Sequence, residues 1–166
     1  AFTSYDMTAY YFSCTDNFYE NLRVLVNLVT HPYFTEKTVE KEQGIIGQEI
    51  KMYDDNPNWC LFFNTMDCLY KNNPVKLNIA GSVESISEIT AETLYKIHRL
   101  FYNLRNMVLC ISGDADMDEI TKVLDSELKE AEPFVAKSVM PNEPMSLNKT
   151  EKTASLEVSM PLYEIA

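Results

Sequence analysis

The chain has 166 residues, of which 46% are hydrophobic and 11% aromatic, a composition that excludes an intrinsically disordered chain and suits one domain with a core of its own. With 25 acidic against 14 basic residues its formal net charge is -11, which repels phosphate backbones and anionic bilayers and argues against nucleic acid or a membrane surface as partner. Its apolar runs are too short for a bilayer span.

In chain order, residues 1–15, "AFTSYDMTAYYFSCT", are rich in aromatic and β-branched types around a polar break, which predicts two strands joined by a tight turn at Ser4–Asp6. Phe18, Leu22, Leu25, Val26 and Val29 then recur at helical spacing up to Pro32, with Asn17 and Glu20 as a capping pair. Thr35 can cap a second helix of about five turns that runs through Glu42 and Glu49 and stops before Pro57. A third helix is expected over "NWCLFFNTMDCLY", and a loop over residues 71–85. Thr90 caps a helix carrying Leu94, Ile97 and Phe101, and "NMVLCISGD" reads as a buried strand ended by Gly113. Asp116 and Glu119 can box a last helix with an Ile120, Val123, Leu124 and Leu128 stripe. Residues 133–153 read as a linker or long loop, and residues 154–166 as a final strand. The order β-β-α-α-α-α-β-α-β predicts an α+β domain, a mainly antiparallel sheet with helices packed on one face.

Four cysteines, Cys14, Cys60, Cys68 and Cys110, lie far apart without a C-x-x-C pair, so buried free thiols in a reducing cytoplasm are expected rather than a disulfide framework or a thiolate zinc site. Phe2, Tyr10, Tyr11 and Phe12 read as strand residues, the last three as core. Pro57 reads as a helix stop and Trp59 as a packing anchor.

The most informative stretch is "VEKEQGIIGQEIKMYDDNP". Seven residues make nearly two turns, so Glu42 and Glu49 leave the same side of the helix, with Ile45 and Ile46 between them. Carboxylates beside a buried apolar stripe must be paired, protonated or bound to a cation. A solvated charged face, with Glu40, Lys41 and Lys51, is the other reading, and spacing alone does not decide between them. Gly44 and Gly47 each cost a helix about 1 kcal/mol relative to alanine, which predicts a neighbour packed closely over both.

This stretch, with "AFTSYDMTAYYFSCT" before it and "HRLFYNLRNMVLCISGD" after it, resembles the insulinase/pitrilysin family of zinc metallopeptidases, the processing-peptidase type, over residues 1 to about 131. The resemblance implies a processing-peptidase-like fold, with residues 1–132 as part of the N-terminal peptidase domain. It implies Zn2+ held by an H-x-x-E-H motif, which supplies two histidines and a general base, and by a later glutamate. That glutamate corresponds to Glu49, with Glu42 in a supporting position. Two imidazoles and a carboxylate would leave one zinc position open for chemistry.

The resemblance also implies that an extended peptide pairs with the first strand, placing Ala1 and Phe2 beside the scissile bond. The expected partners are therefore an unfolded or extended peptide and a second half of the peptidase or a homologous subunit, in a bacterial cytoplasm. H-x-x-E-H does not occur in these residues. His31 and His98 are isolated and read as helix-end and helix-face residues. The expectation is a piece of a longer peptidase, inactive alone, whose histidine motif lies ahead of Ala1. The rival expectation is a non-catalytic partner or structural subunit of the same fold. Leu104 departs from the family pattern, which has proline there, without touching the proposed chemistry.

Overall fold

The computed structural model describes residues 1–131, 133–134 and 137–166. They form two compact units, one of residues 1–36 and 90–137, the other of residues 37–89 and 138–166.

In the first unit, β1 (Phe2–Thr3) and β2 (Thr8–Ala9) pair antiparallel, Phe2 with Ala9 and Thr3 with Thr8. The turn between them is closed by the Ser4 amide donating to the Met7 carbonyl at 2.8 Å. The expected hairpin is present but short. Helices α1 (Phe18–Thr30) and α6 (Met117–Glu127) pack against each other, as their stripes predict: Leu22 is 1% exposed against Ile120 and Val123. Phe12, Phe18, Tyr19, Val26 and Ile111 close round this cluster. A polar seam runs beside it, where the Asn27 amide donates to the Glu127 carboxylate at 2.9 Å and Arg23 pairs with the same group at 3.5 Å.

Helix α5 (Ala91–Phe101) starts at its expected cap, the Thr90 hydroxyl accepting from the Thr93 amide at 3.1 Å. It is tied to α1 by the His98 ring, which donates from Nε2 to the Val29 carbonyl at 2.7 Å and stacks on Tyr102 at 4.6 Å. Tyr102 shares a 2.8 Å hydrogen bond with Tyr10, and burial together with that bond pushes its phenol up to about 12. The expected apolar face of α5 is exposed at Ile97 and Phe101.

The second unit holds α2 (Glu36–Asp54, whose first residue lies in the first unit), α3 (Pro57–Leu69) and α4 (Val83–Ser87). Proline 57 does more than end α2: it occupies the first turn of α3, where its missing N–H costs nothing, and the Asn56 side chain accepts from the Asn58 and Trp59 amides. Residues 71–85 are not simply a loop. A 3₁₀ turn covers Pro74–Lys76, and α4 begins at a serine capping box in which Ser82 and Ser85 each accept the other's amide. Gly81 precedes it at φ 77°, where a side chain would also strike the Ser85 hydroxyl at 2.7 Å.

Several expectations fail for identifiable reasons. Asn17 sits left-handed at φ 54° and ψ 39°, so its side chain does not cap α1, which needs extended backbone at that position. Residues 106–114 and 154–166 are not strands among the described residues: a strand exists through its ladder, and β1 and β2 pair only with each other. The structure is thus mostly helical with one two-stranded antiparallel sheet. Tyr10 and Tyr11 are exposed rather than core, and only Phe12 packs inward. The cysteines are free, but Cys14 and Cys110 are exposed rather than buried.

Of the expected linker, Val135 and Ala136 lie outside the described residues, as does Glu132 at the end of the preceding stretch. From Asn142 onward it is strapped to the end of α3. The Glu143 carboxylate accepts three successive amides, from Lys71 at 2.6 Å, Asn72 at 2.9 Å and Asn73 at 2.6 Å. In return Lys149 and Lys152 both bind Asp67, at 2.7 and 2.8 Å, and hold its carboxyl down at about 2. Desolvation pushes Glu143 up, but the three amides and Lys76 outweigh it and leave the group below its ordinary value.

Leu22→Ala should destabilise the first unit by roughly 2–5 kcal/mol in chemical denaturation, since Leu22 is fully buried at the centre of its cluster with Ile120 and Val123. Because the folded Glu143 carboxyl lies below its unfolded value, its contribution is full above the ordinary carboxylate range and is lost as pH falls through the depressed folded value. Amide exchange of Lys71, Asn72 and Asn73, relative to free-peptide rates, should therefore be slow at neutral pH and quicken on acidification. In Glu143→Gln it should be fast throughout.

Candidate functional site

Helix α2 has two faces. Val39, Gly47 and Ile50 are buried, and Gln43, on the same side, donates from its amide to the Ile86 and Ile89 carbonyls, both at 2.8 Å. These residues recur at four-, four- and three-residue steps, one stripe of a helix. Fixing that stripe against α4 turns Glu42 and Glu49 outward, and both are exposed. Ile45 and Ile46 between them are 50% and 36% exposed, so the apolar stripe expected to be buried beside the acids is itself at the surface.

The glycines divide accordingly. A side chain at Gly47 would meet the Ile86 Cδ1 at 3.9 Å, ordinary contact, and one at Gly44 would meet nothing within 4 Å. The close neighbour expected over both is therefore absent at Gly44.

The two glutamates differ in what they touch. The Tyr53 hydroxyl donates to Oε1 of Glu49 at 2.9 Å, and this bond, with the charge behind it, raises the Tyr53 phenol above its ordinary value. The Tyr53 ring stacks on Trp59 with centroids 4.9 Å apart and planes 21° from parallel, and Trp59 packs in turn on Phe63 at 5.1 Å. Trp59 is thus the packing anchor its sequence setting predicts, although its indole Nε1 is buried with no acceptor among the described residues. Glu42 has no hydrogen-bond or ion-pair partner among the described residues.

An open cavity of about 590 Å³ in the same unit is lined by Ile50, Lys51, Asp54, Phe63 and Asp67 among others, but not by Glu49, which stands on open surface. Ala1 and Phe2 belong to the other unit. Both are exposed, Phe2 by half, with its ring 6.5 Å from that of Tyr11.

Both histidines belong to the first unit. His98 is engaged by Val29, and His31 closes α1, its amide donating to Asn27 at 2.9 Å and its Nδ1 2.9 Å from the Thr30 hydroxyl. Among the described residues no group of three His, Cys, Asp or Glu side chains could hold a metal ion. The donor chemistry is that of one ligand position: Glu49 has one oxygen held by Tyr53 and the other free. These residues alone do not complete a zinc site, which takes at least three protein ligands.

The described residues thus offer a helix-borne carboxylate, a short antiparallel hairpin and packed helices, without a complete zinc centre among them. The chain belongs to the insulinase family, peptidase family M16, whose family model matches residues 1–83, while residues 88–165 match the M16 inactive domain. It is 56% identical over 120 residues to the uncharacterized zinc protease YmfH of Bacillus subtilis strain 168, covering 72% of this chain and 28% of that protein. To the beta subunit of the mitochondrial processing peptidase of Caenorhabditis elegans it is 27% identical over 126 residues, 75% of this chain and 28% of the subunit. A crystal structure of an M16-like peptidase from Alicyclobacillus acidocaldarius superposes with a TM-score of 0.75 at 34% identity, over 82% of this chain and 33% of that one. The chain spans about a third or less of the length of these relatives. No helix among the described residues is long and apolar enough to cross a membrane.

Gly44→Ala should stabilise the protein by up to about 1 kcal/mol in thermal unfolding, because the added methyl group enters open space and the helix gains propensity. A loss of stability would show that the space over Gly44 is needed by something that packs there.

Proposed function

We propose that these residues are the part of an M16 zinc metalloendopeptidase that presents its glutamate ligand, and that they are inactive alone. The observation that carries this reading is Glu49: an exposed carboxylate on a helix whose rotation is fixed by burial of the opposite face, with one oxygen held and one free. The zinc-protease names of the relatives support the metal. The histidines and the general base come from an H-x-x-E-H motif outside these residues.

Zinc, when bound, supplies Lewis acidity toward a peptide carbonyl and toward water. This chain's own part is to hold a carboxylate in place, and Glu42, on the same exposed face, supports the ligand set. An extended peptide adds to β1 through main-chain hydrogen bonds, with Ala1 and Phe2 next to the bond that is cut. Such pairing explains acceptance of varied unfolded sequences, because main-chain groups are common to all peptides.

The parent domain is α+β, with a larger antiparallel sheet to which β1 and β2 belong and helices on one face. Its partner is the second half of the peptidase or a homologous subunit. The four free thiols support a reducing, cytoplasmic setting.

In the full-length protein, Glu49→Gln should lose zinc by more than the roughly 10–100-fold typical of a supporting residue, and peptide hydrolysis with it. The isolated 166 residues should cleave no peptide. Cleavage by the isolated chain, abolished by Glu49→Gln, would overturn the proposal.

A further inference from the structure

We propose that Tyr53 is a positioning residue for the Glu49 carboxylate, selecting which of its oxygens is presented to a cation. The inference rests on the reading of Glu49 as a metal ligand and goes beyond it, since neither the family's motif nor the spacing of the two glutamates involves a tyrosine. Its basis is geometric. Long helical side chains lean toward the helix N-terminus, so a tyrosine four residues after a glutamate reaches back over it. The 2.9 Å bond from the Tyr53 hydroxyl is made to Oε1, which leaves Oε2 as the open donor.

A hydrogen bond between two exposed side chains would ordinarily fluctuate, but this donor is braced. The Tyr53 ring lies nearly parallel on Trp59, and Trp59 rests on Phe63 one turn further along α3. The first turn of α3 is in turn fixed by Pro57 and by the Asn56 cap, whose side chain accepts from the Trp59 amide itself at 3.2 Å. A chain of named contacts thus runs from the start of α3 to one carboxylate oxygen. Glu42 has no comparable brace. The difference distinguishes a ligand held in one orientation from a carboxylate that is merely near.

Groups that hydrogen-bond a metal ligand orient it and tune its affinity. A charge-assisted bond from a neutral phenol suits this purpose, because it fixes the carboxylate without neutralising it. Phenylalanine at position 53 keeps the stack on Trp59 and removes only the hydroxyl.

The test is zinc affinity, by competition with a chromophoric chelator, for the full-length protein and its Tyr53→Phe, Glu49→Gln and doubly substituted forms, with thermal unfolding of each metal-free form. The expected result is roughly 10–100-fold weaker zinc binding in Tyr53→Phe at unchanged unfolding temperature, with the double variant no weaker than Glu49→Gln alone. If Glu49→Gln loses zinc while Tyr53→Phe binds like the parent, the positioning role falls and the ligand reading stands. If Glu49→Gln itself retains zinc, the ligand reading falls and takes the role of Tyr53 with it. Additive losses in the double variant would also contradict the proposal, since they would show Tyr53 acting on zinc other than through Glu49.

Discussion

The rotation of α2 about its own axis decides what Glu42 and Glu49 can do. Two contacts set it: the Gln43 amide bridging the Ile86 and Ile89 carbonyls, and Gly47 lying against Ile86. The first gives the Ile89 carbonyl a donor and adds a second one to the Ile86 carbonyl, which already accepts the Ile89 amide at 3.1 Å, and both bonds are part-buried. The second is ordinary packing, in which a side chain at position 47 would meet the Ile86 Cδ1 at 3.9 Å. Together they commit the Val39–Ile50 stripe inward, and by helical geometry both glutamates must then face outward. An acid presented in this way need not be neutralised by its own chain.

The same unit uses two other carboxylates very differently. Glu143 is saturated by three main-chain amides and Asp67 by two lysines, and both are held in the ionised form. These are internal ties that draw the segment from Asn142 to Lys152 onto the end of α3. Glu49, by contrast, has one bond and one open oxygen. The distinction between a carboxylate spent on folding and one left available is thus drawn by hydrogen-bond count, within one unit of the same chain.

The sequence made the amphipathic helices legible because their apolar spacing is a local property: Leu22 with Val26, and Ile120 with Val123, are where periodicity puts them. Caps that depend on one residue and its next three, such as Thr90, were legible for the same reason. The strands over residues 106–114 and 154–166 were not, because an apolar run states only that burial is wanted, while a strand requires a ladder partner that the run does not contain. Glu143 could not be foreseen, as its acceptor role depends on amides some seventy residues away. The glutamate pair was visible by spacing, and its family role by resemblance, but the exposure of Ile45 and Ile46 was not, since the buried stripe passes through Gln43 and Gly47 rather than through the isoleucines. Tyr53 shows in the sequence only as a four-residue offset to Glu49, which is common on helices and gains meaning only from Trp59 beneath the ring.

A crystal structure of the full-length protein with zinc bound would decide whether Glu49 is a ligand. A Glu49 carboxylate oxygen should lie about 2.0–2.2 Å from the metal, with two imidazoles from outside these residues completing the protein ligands. A zinc ion with a full set of protein ligands that does not include Glu49 would contradict it.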